Sequence, residues 1–436
     1  MNTNPQIFHG EWWVPAVADH NTCMFAHHSE RMMGLEDKYP GTLTYYGDKD
    51  STLELYHVLS DFHSSHYHQN EVMWGRDANG HIFTLFDVKM EESGLEDFSK
   101  IKFTVSLILI GEHVLSIEES KYSRCIVTYP YLTNWVFFET KNNAKLLFNT
   151  EIALLEVPYK SVYLFDVPID DSSDWLLKQG YNISQNIQGY QITPKPIFEI
   201  HTPKTTPISS FINQIKEFTQ FLSIALYGVQ SPDSIEFVCE EDKNVRKLLF
   251  TKNYISCDPG FRSLISFDYL KPKLPSMLKI WHENFDRIAP ISSYLIDSLQ
   301  NKSRFDVPSF LIIAQALDGY HKRFVNKKNG KDHKKYEDGI RILLEQFKDV
   351  ECIQKCHIDP QVLTQSRDKY SHLLLDEDKP LAVDGEDLYW LTEKCKILLT
   401  CCILNMLGLT NMEINQCCEF RSPIKQIMDS FPLEID

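Results

Sequence analysis

No stretch of this sequence is suited to crossing a bilayer. Its most apolar late segment, Ile397 to Leu409, is broken by Thr400 and Asn405 and falls short of the roughly 20 residues a spanning helix needs. It reads as a buried helix, and no membrane association is expected. The opening MNTNPQIFHGEWW has neither the basic start nor the apolar run of an export signal. Eleven cysteines, an odd number scattered over the chain, fit reduced thiols better than a disulfide framework, so the expected compartment is the cytoplasm. Also missing are a Walker-type phosphate loop, a G-x-G-x-x-G fingerprint and a G-x-S-x-G elbow. Nucleotide hydrolysis, dinucleotide redox chemistry and α/β-hydrolase activity therefore lack support.

Positive charge is scarce overall. A formal net charge of −16 excludes a surface coated by nucleic acid, because phosphate binding relies on Lys and Arg displacing counterions. Any such contact must be local, and one segment suits it. HKRFVNKKNGKDHKK (321–335) carries Lys322, Arg323, Lys327, Lys328, Lys331, Lys334 and Lys335 against the single acid Asp332. The bland alternative is a solvated helix end and loop.

With 43% hydrophobic and 24% charged residues the chain should fold, and 436 residues exceed one compact core. From about Leu43 to Phe250, short runs rich in Val, Ile, Tyr, Phe and Thr read as strands: TLELYHVL, HIFTLFDVKM, KFTVSLILIG, RCIVTYPYL, SVYLFDV, QITPKPIFEI, SIEFVCE and RKLLFT. Asn79-Gly80 and Asn142-Asn143 mark hairpin turns. One helix interrupts the strands: Ile208, Phe211, Ile212, Ile215, Phe218, Leu222 and Leu226 recur at helical spacing, with Thr206 as N-cap and Pro207 in the first turn. KPKLPSML (271–278) reads as an interdomain connection, and helices follow near 278–300, 308–324, 335–348, 360–375 and 386–408. The expected class is α+β: a β-rich sandwich or barrel-like domain over 1–275, then an all-α bundle over 276–436.

Within that bundle, QSRDKYSHLLLDED (365–378) places an Arg five residues before a His. With 11 Arg and 16 His in 436 positions, chance supplies fewer than one such spacing, and the chain has two. The other, RDANGH (76–81), contains Asn-Gly and should be a hairpin tip. RDKYSH lies on a helix opened by Asp359-Pro360 with no breaker inside. Five helical residues rotate by about 500°, so Arg367 and His372 project about 140° apart. Asp368, four residues before His372, is placed to orient the imidazole.

These stretches carry a resemblance. GEWWVPA (10–16), GTLTYYGDKDSTLELYHVLS (41–60), FLSIALYG (221–228), FLIIAQALDGYHKRF (310–324) and RDKYSH together resemble the ApeA-type abortive-infection proteins, a β-rich N-terminal domain followed by an Apea-like HEPN domain. The resemblance implies an N-terminal sensor or regulator and a metal-independent endoribonuclease needing no cofactor. In it a ribose 2′-OH attacks the neighbouring phosphate of host RNA, tRNA in particular. It also implies a HEPN homodimer and a phage-derived trigger. The motif falls on Arg367, Asp368 and His372; the family more often has Asn in the second place. Tyr370 and Ser371 lie inside the motif as accessory residues, Tyr370 being equally suited to packing in the core. Asp318 and His321 match a segment usually written with Glu at the first position.

The residue types suit the chemistry. An imidazole titrating near 6.5 can take or return a proton near neutrality, and a guanidinium fork matches a phosphate. Other clusters read blandly: His57, His63, His66 and His68 as a wet loop, and CIQKCH (352–357) with Cys395, Cys401, Cys402, Cys417 and Cys418 as buried thiols, since C-x3-C is not a standard zinc knuckle. No metal is expected. A second hypothesis stays open: a ligand-sensing scaffold whose HEPN domain only dimerises.

Overall fold

In the computed structural model, the residues described are 5–15, 38–56, 71–91, 100–136, 145–149, 152–156, 163–186, 189–238, 244–251, 256–258, 263–300, 307–326, 335–419 and 422–431. The front of the chain is a barrel. Strands β1 (Gln6–Trp13), β2 (Tyr39–Tyr45), β3 (Ser51–Tyr56), β4 (Glu71–Asp77), β5 (Ile82–Met90) and β6 (Lys100–Val105) pair antiparallel in the order β5-β4-β1-β2-β3-β6, and a further pairing of β6 with β5 closes the ring. Closure depends on a bend in β5. Phe83–Phe86 pairs outward, whereas Lys89 and Met90 pair with β6, and between them Asp87 takes φ 53°. A register shift in β4 between Glu71 and Met73 lies opposite, where a bulge adds twist. Alternate residues point inward, so Trp12, Leu43, Leu53, Leu55, Met73, Phe83, Leu85 and Phe103 fill the interior. Trp12 fits because Gly75 lies against it: a Cβ there would sit 2.1 Å from the indole.

The outward half of β5 pairs with β7 (Leu107–Ile110), which starts an extension built also from β8 (Lys121–Thr128), β11 (Tyr163–Asp170), β12 (Ser173–Asn186), β13 (Gly189–Pro207), β14 (Ser234–Val238) and β15 (Val245–Phe250). Its order is β7-β15-β14-β8-β13-β12-β11, and β9 (Lys145–Asn149) with β10 (Ile152–Glu156) forms a separate pair. The short helix α1 (Leu132–Val136) follows β8, and α2 (Ile208–Ala225) lies on the sheet. Phe218 stacks on Phe198 with ring centres 3.7 Å apart, and Phe211 meets Phe237. Pro207 occupies the N-cap position itself, one residue later than the expected Thr206, and makes no side-chain cap bond.

The expected connection at 271–278 is replaced by helix. A short α3 (Phe267–Leu270) runs through a turn into α4 (Leu274–Gln300), whose Trp281 packs on Phe221 and donates its indole N–H to the Glu217 carbonyl at 2.9 Å. Prolines 272 and 275 thus sit in a turn and a first helical turn, where a missing N–H costs little. The remaining helices are α5 (Val307–Tyr320), continued by a π-helical turn over His321–Asn326, then α6 (Tyr336–Gln346), α7 (Glu351–Cys356), α8 (Pro360–His372), α9 (Gly385–Met406), α10 (Asn411–Cys418) and α11 (Pro423–Met428). One hydrophobic core runs from the sheet extension through α2 and α4 into this bundle. A β-rich front region with a six-stranded barrel and a helical rear region is the architecture expected. Among the described residues no helix is long and apolar enough to cross a membrane, and the segment around Ile397 to Leu409 is buried in α9 and its C-terminal turn.

Candidate functional site

Helix α8 begins as its sequence demands. Asp359 accepts the Gln361 N–H at 2.7 Å, and Pro360 supplies a fixed φ where no donor is needed. Leu363 and Ser366 form the buried face, and the helix runs unbroken through Arg367 to His372. It stops because Leu373 turns left-handed at φ 52°, after which the Leu374 N–H bonds the Lys369 carbonyl at 3.0 Å.

Arg367 and His372 both reach solvent, Arg367 with 34% of its side chain exposed. The Arg367 guanidinium donates to Asp368 at 2.9 Å, lies 5.2 Å from the centre of the Tyr336 ring, and leaves other N–H groups of its fork available for an anion. The second Asp368 oxygen accepts Lys379 at 3.0 Å. Asp368 therefore braces Arg367 and Lys379, not His372 as its i,i+4 spacing suggested. Partial burial pushes the Asp368 carboxyl up, but hydrogen bonds from Lys379 and Arg367 outweigh this and hold it below the usual carboxylate range. Among the described residues the His372 imidazole has no hydrogen-bond partner. It stands at the exposed last turn of the helix, free to meet a ligand or another chain.

A loop wraps α8 and fixes it. Gln365 accepts the Leu381 N–H at 2.9 Å, Ser366 accepts the Val383 N–H at 3.0 Å, Lys369 pairs with Asp376 at 2.6 Å, and Tyr370 donates to the Val383 carbonyl at 3.0 Å. Tyr370 also meets Phe310 edge-on, so it packs as a structural contact, while Ser371 is exposed. The loop leaves Leu373, Leu375 and Leu381 uncovered, at 89%, 69% and 43% exposure.

Two residues that contact the Arg367–Asp368 pair carried no sequence signal. Lys379 sits in the acidic run DEDKP, and Tyr336 arrives from α6, where its hydroxyl donates to the Ala314 carbonyl at 3.2 Å. Burial drives the Tyr336 phenol well up; Asp318 and Asp368 add to this and Arg367 opposes it. Asp318, from α5, pairs with Lys322 at 2.7 Å. His321 does not join the exposed surface. It is 3% exposed beneath Gly339, where an added Cβ would stand 2.9 Å from its Nδ1.

Of the basic segment, Lys322 is exposed, Arg323 donates to the Arg287 carbonyl at 2.7 Å, and Lys335 is the exposed N-cap of α6. Arg287 returns a bond to the Arg323 carbonyl and lies 4.4 Å from the Phe324 ring centre. Lys327, Lys328, Lys331 and Lys334 lie outside the described residues, as do His57, His63, His66, His68 and the Asn142-Asn143 turn. The second R-x4-H stretch is the hairpin tip expected. Asp77 accepts the Asn79 and His81 backbone N–H groups and bonds the His81 ring at 2.8 Å. The C-terminal cysteines are buried, and Cys352, Cys401 and Cys418 come together.

Two family models match the chain: ApeA N-terminal domain 1 over residues 7–281 and Apea-like HEPN over 311–413. The first alone covers more than half of the sequence, and the chain belongs to the ApeA-type family, the abortive-infection nuclease class of HEPN proteins. HEPN domains are generally RNase-like, commonly dimerise and commonly bind RNA. No curated protein and no solved structure matches the chain.

Proposed function

We propose that this protein is a metal-independent endoribonuclease that cuts host RNA, tRNA in particular, in answer to a phage-derived trigger in the cytoplasm. One observation carries the reading: Arg367 and His372 reach solvent from a single unbroken helix inside the segment matched by the HEPN model. Arg367 binds the scissile phosphate and stabilises its growing charge. His372 takes the proton from the 2′-OH or returns one to the leaving oxygen. The products are a 2′,3′-cyclic phosphate and a 5′-OH.

The active unit in this reading is a homodimer in which α8 helices face each other. The exposed Leu373, Leu375 and Leu381 beside the motif support that face, since a leucine row left in water next to a polar site suits burial against a second copy. Lys379, held by Asp368, lies beside the phosphate site, and the exposed Lys322 and Lys335 add steering charge. The β-rich region holds the nuclease silent until triggered.

The test is cleavage of cellular RNA by the wild type and by His372→Ala during a short incubation in EDTA, with end-group analysis. Cleavage by the wild type alone, leaving cyclic-phosphate ends, supports the reading. Equal cleavage by both proteins would sink it and favour a HEPN domain that serves only for association.

A further inference from the structure

We infer that Cys352, Cys401 and Cys418 form a zinc site that ties α7, α9 and α10 together. The three residues come from α7, α9 and α10, far apart in sequence, yet their sulfurs all lie within 4.8 Å of one another. The Cys352 and Cys401 sulfurs are 3.8 Å apart. Thiolates bound to zinc at about 2.3 Å in a tetrahedron stand about 3.8 Å from each other, so the pair already has the spacing of two ligands on one ion. Movements of about 1 Å or less would bring Cys418 into the same shell. Among the described residues this is the one place where three potential ligands of this kind converge.

The three side chains are at most 2% exposed, as a structural rather than an exchangeable site requires. Soft thiolates favour zinc over magnesium or calcium. A fourth position remains, and the fold provides for it. A cavity of about 210 Å³ opens onto Cys352 and Cys418 between Glu351, Asn415 and Glu419, which gives water or a carboxylate a path to the ion.

The surrounding structure also calls for a cross-link. Helix α7 has only 6 residues and no side-chain N-cap bond, too little to hold itself by local hydrogen bonds. It leads through His357, at φ 44°, directly into Asp359 and α8. An ion bridging Cys352 to α9 and α10 fixes the base of the helix that carries Arg367. Arg367 contacts Asp368 and Tyr336 and not these thiols, so the metal holds structure and takes no part in phosphate chemistry. This inference does not depend on RNA cleavage.

The experiment counts metal on the full chain, purified under reducing conditions without chelator. About one zinc per chain is expected by inductively coupled plasma mass spectrometry. Cys352→Ser and Cys401→Ser should lose it, while Cys257→Ser, away from the cluster, should keep it. Should the serine variants fail to fold, cobalt exchanged into the wild type provides a second measurement: a near-ultraviolet thiolate-to-cobalt charge-transfer band supports the site, and its absence overturns it. Zinc loss should lower the melting temperature by roughly 5 °C or more. A folded, reduced wild type that neither contains nor takes up zinc overturns the inference. So does zinc retained by both serine variants, or copper found in its place.

Discussion

Arg367 carries a carboxylate where the proposed function places a phosphate. Asp368 accepts one of its N–H groups at 2.9 Å and is itself held ionised by Lys379. An incoming phosphate competes with that carboxylate for the same fork. Replacing Asp368 with Asn removes the competing charge and restores the residue more usual in resembling proteins. A partly exposed ion pair of this kind is worth up to about 1 kcal/mol, so Asp368→Asn should raise apparent RNA affinity by up to ~5-fold. Titration with a non-cleavable 2′-deoxy substrate measures it; weaker binding would show that Asp368 serves the RNA directly. Arg367→Ala should slow single-turnover cleavage by about 10²-fold or more, and Arg367→Lys should restore little, because an ammonium lacks the planar fork. At this scale the sequence pointed to Arg367, Asp368 and His372 as a group, because the motif is local. It could not point to Tyr336, which meets Arg367, or Lys379, which meets Asp368, because both arrive only once α6 and the loop after α8 are in place.

The helix and its wrapping loop behave as one element. Ser366 is fully buried, and its hydroxyl is the acceptor for the Val383 N–H. Ser366→Ala strands that donor and should cost about 1–3 kcal/mol. Because the loop also holds Lys379, cleavage should fall with stability, and hydrogen exchange at 379–384 should speed up. Unchanged exchange there would mean that the loop is held by other contacts. Elements with strong local signals were readable from sequence: α4, α5, α6, α8 and α9 lie where apolar spacing and caps placed them, and eight β-rich runs became strands. The misses have physical causes. Helices α7, α10 and α11 are 6–8 residues long, too short to show periodicity. Strand β12 is 14 residues long, but its second half, GYNISQN, is polar and rich in turn formers, and only pairing with β13 over 13 positions keeps it extended.

On the scale of the molecule, the sheet and the bundle share a core that no local pattern announces. The seam runs along α4. His282 bonds Glu217 of α2 at 2.7 Å and lies 3.4 Å from Asp170 at the end of β11, while its neighbour Trp281 packs on Phe221. Two prolines in eight residues suggested a linker, but packing of this kind joins residues more than sixty positions apart and leaves no trace in a sequence window. The seam also predicts a pH response. The Glu217 hydrogen bond raises the His282 pKa, partial burial opposes this, and the charges of Glu217 and Asp170 add to the rise. A raised folded value means that protonated His282 stabilises the native state fully below about pH 6.5, and that this share is lost as pH rises through the folded value. Glu199 acts at the opposite end: buried, yet bound by His201, Arg124 and Lys178, its carboxyl is held down at about 2, so its share is lost only in acid. Burial lowers the His113 pKa, so His113 acts in the same range with opposite sign, and only the difference between wild type and a Glu217 variant from pH 6 to 8 isolates His282. In urea, Glu217→Gln should be about 1–3 kcal/mol less stable than wild type at pH 6, and the gap between the two should narrow as pH rises. Parallel profiles for the two proteins would show that this cluster does not govern how the β-rich and helical regions hold together.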